Sequence, residues 1–138
     1  MKILIAEDEP TTLLLMRSMM SSFGDCAGFE TGKATLKAFE DAWEAGEPYD
    51  VICLDIMLPD MSGHDVLKAI RAFESRYSLE DDEKAKIIMT TALHDEENFL
   101  QAHEEGSEWF LSKPISKNQV KALFEEFGLI KSEPDIKN

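Results

Sequence analysis

Five short apolar runs recur along the chain: Ile3 to Ala6, Cys26 to Phe29, Val51 to Leu54, Ile87 to Thr90 and Trp109 to Leu111. Between them the apolar residues return every three or four positions: Leu13, Met16 and Met20; Leu36, Phe39 and Trp43; Val66, Leu67, Ile70 and Phe73; Val120, Leu123, Phe124 and Phe127. Runs of the first kind read as strands, and the three-to-four period is one buried face of a helix. The stretch Asp95 to Glu105 is helical by position but weakly patterned around Phe99 and Leu100, which predicts the most loosely packed helix. Strands that alternate with helices are joined by right-handed crossovers, and strands apolar throughout must be covered on both faces. The pattern therefore predicts an α/β protein: a doubly wound, five-stranded, mainly parallel sheet with five helices.

The punctuation agrees. Pro10 suits a first helical turn, and Ser62 with Asp65 and Ser116 with Gln119 have the spacing of reciprocal helix caps. Gly24, Gly46, Gly106 and Gly128 stand where helices should stop. No repeat or linker divides the 138 residues, and 43% hydrophobic content suffices for one core. Met16, Met19 and Met20 fit helix packing, while His64, His94 and His103 share no ligand spacing and are expected at the surface.

Acidic residues outnumber basic ones 28 to 14, and a net charge of -14 is repelled by phosphate backbones and anionic headgroups. That disfavours nucleic-acid and membrane partners. The N-terminus MKILIAEDE is too short for a signal-peptide core and no later stretch approaches a span, so a cytoplasmic protein is expected. Cys26 and Cys53 lack CxxC spacing and read as reduced thiols.

Chemistry enters where the strands end. In VICLDIMLPDMSG, residues 51–63, the apolar run stops at a carboxylate, Asp55. The first run stops at Glu7 and Asp8, the fourth at Thr91, and the fifth, after Ser112, at Lys113 and Pro114. In a parallel sheet these ends share one edge, where ligands of open α/β sheets bind. Three carboxylates repel one another unless a cation sits among them. Oxygen donors without His or Cys favour Mg²⁺ or Mn²⁺ over zinc. A hydroxyl from Thr91 and an ammonium from Lys113 suit the remaining oxygens of a phosphoryl group, whose transfer needs chiefly positioning and charge neutralisation.

With ILIAEDEP, LDIMLPDMSG, TTA and SKPI in this order, the chain resembles the receiver domains of bacterial two-component response regulators over roughly residues 2–127. The resemblance implies a flavodoxin-like fold with strand order 2-1-3-4-5, a receiver domain over 1–128 and a short polar tail over 129–138. It implies an aspartate, Asp55, that takes a phosphoryl group from a phosphohistidine in the presence of Mg²⁺. Glu7 and Asp8 match the acidic metal-binding pair, and Asp55 and the Met57 carbonyl the other protein ligands. Thr91 matches the switch hydroxyl, Ala92 the small residue that leaves space for access, Lys113 the phosphate-pairing lysine and Phe110 the aromatic switch. Pro114 is implied to follow a cis peptide bond. Met57 and Leu93 flank the approach of water in the family; both are apolar here, which predicts slow hydrolysis of the phosphoryl group.

The implied partners are a sensor histidine kinase or a histidine phosphotransfer protein, and a downstream protein bound through the face of helix 4, strand 5 and helix 5. A stand-alone regulator of the chemotaxis type and a phosphorelay intermediate both fit, catalysing their own phosphorylation and dephosphorylation without turning over a separate substrate. A phosphohydrolase resembling haloacid dehalogenases would carry a second aspartate where Met57 stands, and an inactive interaction module would have lost Asp55, Lys113 or the acidic pair. Two departures stand out. Glu7 occupies a position where aspartate is also common, which bears on metal affinity, and ESRYSLEDDEKAK, residues 74–86, lengthens the third helix and its loop. That segment leads into the fourth strand and is expected at the edge away from Asp55.

Overall fold

The computed structural model describes residues 1–91 and 96–131, residues 96–99 by their backbone only. Strands β1 (Lys2–Ala6), β2 (Asp25–Phe29), β3 (Val51–Asp55), β4 (Lys86–Thr91) and β5 (Trp109–Ser112) alternate with helices α1 (Pro10–Met20), α2 (Gly32–Glu44), α3 (Gly63–Arg76), α4 (Glu96–Glu104) and α5 (Lys117–Glu126). All strand pairs are parallel, in the order β2-β1-β3-β4-β5. This is the flavodoxin-like arrangement that the resemblance implied.

Side chains alternate across a strand, so one set of strand residues feeds each face. Leu4, Ile52, Leu54, Ile87 and Met89 pack against Phe39 of α2 and Val66, Leu67, Ile70 and Phe73 of α3. Ile3, Ile5, Val51, Cys53, Ile88 and Leu111 pack on the other face against Leu13, Met16 and Met20 of α1 and Val120, Leu123 and Phe124 of α5. Ile70 is fully buried between sheet and helix, and its truncation to alanine would cost about 2–5 kcal/mol. Both predicted reciprocal caps are present, at Ser62 and Ser116. Cys26 and Cys53 are free, and burial pushes the Cys53 thiol up to about 12. In α4 Leu100 is exposed and Ala102 buried.

The long third-helix segment closes the edge away from Asp55. A one-turn 3-10 helix, Asp81–Glu83, precedes β4, and the buried Glu74 carboxylate receives the Ala85 N–H at 2.8 Å. Arg71 donates to Glu74 at 2.6 Å, to the carbonyls of Ala85 and Gly106 at 2.8 Å, and to both oxygens of Glu108. Glu108 in turn accepts the Ile87 N–H at 2.7 Å.

One surface expectation fails. His64, in the first turn of α3, is 6% exposed, and its Nδ1 lies 2.6 Å from Glu105 Oε1. Glu105 also faces Lys68 at 3.4 Å. His64 stands three positions before Leu67, on the buried side of α3, and its ring needs the polar partner that Glu105 supplies. His103 is exposed, and His94 lies outside the described residues.

Candidate functional site

The register brings Glu7 beside Asp55, because Ala6 pairs with Leu54 and each chain then takes one further step. Glu7 is still tied to the sheet by its N–H, which donates to Phe29 at 3.0 Å. Its side chain is 1% exposed, whereas Asp8 turns out to solvent. Behind this pair Glu9 caps α1, accepting from the N–H groups of Thr11 and Thr12, and those bonds hold its carboxyl below the usual range.

Asp55 closes β3 at 5% exposure. Its Oδ1 accepts the Met57 N–H at 3.2 Å, and Ile56 N–H donates to the Thr90 carbonyl at 3.1 Å, so the chain leaves the strand in a fixed direction. The following turn returns at once: Gly63 N–H donates to Ile56 at 2.7 Å. A Cβ on Gly63 would stand 2.2 Å from the Asp55 carbonyl oxygen, so this approach requires glycine. Asp60 anchors the far side of the turn on α2, accepting from Gly32 N–H at 2.7 Å and Lys33 N–H at 2.9 Å. These two bonds at a helix N-terminus lower the Asp60 pKa.

Lys113 reaches in from the end of β5, its backbone held by a 2.6 Å bond to the Thr91 carbonyl and followed by a cis bond to Pro114. Its ammonium lies 3.0 Å from Asp55 Oδ2 and is ion-paired with Glu7 Oε1. Burial pushes the lysine pKa down, but the neighbouring Glu7 and Asp55 carboxylates outweigh it and hold the group above its ordinary value. The ammonium is therefore fully charged in neutral solution. Thr91 ends β4 at 6% exposure, and Phe110 is half-buried against the α3 side of the core.

Glu7, Asp8 and Asp55 each offer a carboxylate oxygen within 4.8 Å of the others, and among the described residues this is the one such cluster. Glu7 Oε1 faces the lysine charge without a well-formed hydrogen bond. An all-oxygen set, with Glu7 and Asp55 buried and Asp8 open to solvent, fits a hard divalent cation that keeps some of its waters. Met57 is 74% exposed, and its N–H is the backbone group that reaches Asp55.

Of the predicted site residues, Glu7, Asp8, Asp55 and Lys113 converge, with Thr91 one strand away; Ala92 and Leu93 lie outside the described residues. Sequence reasoning missed Asp60, whose role could be suspected only from its place in a Pro-Asp turn.

The response regulator receiver domain family model matches residues 3–125. The aerobic respiration control sensor protein ArcB of Escherichia coli K12 is 33% identical over 92% of this chain. The chain spans 15% of that relative's length and 7% of the hybrid signal transduction histidine kinase L of Dictyostelium discoideum. Among solved structures, the N-terminal domain of WS1339 from Wolinella succinogenes is 27% identical, with a TM-score of 0.77 over 95% of this chain and 96% of that one. The BeF3-activated DrrB receiver domain is 26% identical, with a TM-score of 0.71 over 94% and 97%.

Proposed function

The chain belongs to the response regulator receiver domains, and from that footing we propose that it is a switch operated by phosphorylation of Asp55. The observation that carries this reading is the Lys113 ammonium bridging two buried carboxylates, Glu7 and Asp55, at the strand ends.

Asp55 is the nucleophile. Its carboxylate attacks the phosphorus of a phosphohistidine in line; the new P–O bond forms as the P–N bond breaks, and the imidazole leaves and takes up a proton. The Met57 N–H holds one carboxylate oxygen and Lys113 the other, so the side chain is oriented before the donor arrives. Glu7, Asp8, Asp55 and the Met57 carbonyl would hold Mg²⁺, or Mn²⁺ by the same donor chemistry, which when bound offsets the charge on the phosphoryl oxygens. Lys113 turns to one of those oxygens and the Thr91 hydroxyl donates to another. The acyl phosphate adds nearly two negative charges to the pocket, and the contacts made only in its presence bias a two-state equilibrium. Phe110, on the same face of the sheet as Thr91, carries the change to the surface of α4, β5 and α5, where a downstream protein binds. The apolar Met57 at the mouth positions no water, which favours slow hydrolysis.

The phosphoryl donor is a histidine kinase or a histidine phosphotransfer protein. The likeness to receiver segments within histidine kinases favours a second reading, in which Asp55 passes the group on to a histidine.

The test is exposure to acetyl phosphate or beryllofluoride with and without Mg²⁺, followed by Trp109 fluorescence and intact mass, beside Asp55→Asn. A Mg²⁺-dependent response confined to the unsubstituted protein is expected. An equal response from Asp55→Asn would sink the assignment.

A further inference from the structure

Besides Glu7 Oε1, the one buried side-chain oxygen without a hydrogen-bond partner among the described residues is Thr90 Oγ1. Thr90 is 1% exposed, near the end of β4. A buried hydroxyl without a partner is costly, and a valine of the same shape would suit a central strand without that cost. The position of the hydroxyl gives it a use.

Thr90 pairs in register with Asp55 on one side and with Leu111 on the other. Side chains at paired positions of neighbouring strands share a face of the sheet. Ile88, two residues earlier, packs on the α1 and α5 side together with Cys53 and Leu111. Thr90 therefore continues that row beside Asp55, which follows Cys53 by two, and Lys113, which follows Leu111 by two. Thr91 belongs to the opposite row, with Met89 and Phe110. Two consecutive hydroxyls thus flank the site from opposite faces of the sheet.

In the protein as it stands, the Asp55 oxygens are taken by the Met57 N–H and by Lys113. When Lys113 turns to a phosphoryl oxygen, it gives up its hydrogen bond to Asp55, and a donor on the Thr90 side of the site can take that place. We propose that Thr90 is a second positioning hydroxyl of this site, unpaired at rest and donating to the Asp55 side chain once a phosphoryl group is present. The inference rests on the reading of Asp55 as the phosphoryl acceptor. It assigns to the unpaired hydroxyl a cost in the resting form that is recovered in the phosphorylated one.

The experiment compares Thr90→Val, which removes the hydroxyl, and Thr90→Ser, which keeps it, with the unsubstituted protein and Asp55→Asn. Melting temperature and beryllofluoride affinity in Mg²⁺ are measured for each. Thr90→Val is expected to melt higher than the unsubstituted protein in the absence of beryllofluoride, yet to bind it about tenfold more weakly, the equivalent of one hydrogen bond. Thr90→Ser keeps the affinity while melting lower. Unchanged affinity in Thr90→Val, or an equal loss in both variants, overturns the inference and leaves the Asp55 reading standing. If the unsubstituted protein responds no more than Asp55→Asn, the Asp55 reading fails and the inference falls with it.

Discussion

The two edges of the sheet each bury charged groups, and they are built on opposite principles. At the edge away from Asp55, Arg71 spreads its donors over two carboxylates and two carbonyls, while Glu74 and Glu108 each take a backbone N–H as well. At the edge that carries Asp55, three carboxylates cluster while Lys113 pairs with two of them, Glu7 and Asp55, and Glu7 Oε1 and Thr90 Oγ1 lack a hydrogen bond. A satisfied buried network holds a shape, whereas an incompletely satisfied one has capacity left for a ligand. The first edge joins α3, β4 and the entry to β5; the second is where added charge has somewhere to go.

The largest effect should come from breaking the satisfied edge. Arg71→Ala leaves Glu74, 2% exposed, without its countercharge, and should lower unfolding stability by about 3–5 kcal/mol in urea titrations. Phosphoryl uptake per folded molecule should stay unchanged, and Mg²⁺ should not restore the lost stability. Lys113→Ala is the matched cut at the other edge. It strands Glu7, at 1% exposure, and should cost about 2 kcal/mol, less because one lysine makes fewer bonds than the guanidinium. Here Mg²⁺ should recover part of the loss, since a divalent cation can occupy the same carboxylates. Recovery of both variants by Mg²⁺, or of neither, would erase the proposed distinction.

A smaller effect of opposite sign is expected from Asp8→Asn. Asp8 is exposed, so relieving its repulsion from Glu7 and Asp55 should raise stability by less than about 1 kcal/mol after solvent screening. The same change should abolish Mg²⁺-induced stabilisation in a thermal melt. Lower stability in Asp8→Asn without metal would mean that the cluster is not under-neutralised.

What could be read from the sequence differs between the edges for a physical reason. The strand-end chemistry was legible because each functional residue directly follows an apolar run, so local pattern and topology together put Glu7, Asp8, Asp55, Thr91 and Lys113 on one edge. The opposite edge was not. Arg71 and Glu74 have the spacing of an ordinary solvent-exposed helical pair, and no local pattern shows that folding brings Glu108, 37 positions on, against Arg71. His64 hid in the same way, since Glu105 lies 41 positions away. The Thr-Thr pair at the end of β4 is ambiguous by nature: one residue of register decides which hydroxyl faces which side of the sheet.

The smallest difference between the edges lies in alkaline solution. Lys113 has its pKa raised in the folded protein by Glu7 and Asp55 against the opposing effect of burial, so its contribution is fully present below the ordinary lysine value of 10.5. It is lost as pH climbs through the raised folded value. A guanidinium keeps its charge over that range, so Arg71 contributes no such limb. Other lysines and Tyr49, whose phenol burial also pushes up, titrate there too, so the informative quantity is a difference. Stability of the unsubstituted protein minus that of Lys113→Arg should be flat from neutral pH to about 10 and should fall above 10.5, by under about 1 kcal/mol given the partial exposure of Lys113. A difference that instead rises between about pH 9 and 10.5 would place the folded lysine below its ordinary value and would mean that burial, rather than the two carboxylates, governs the charge at this edge.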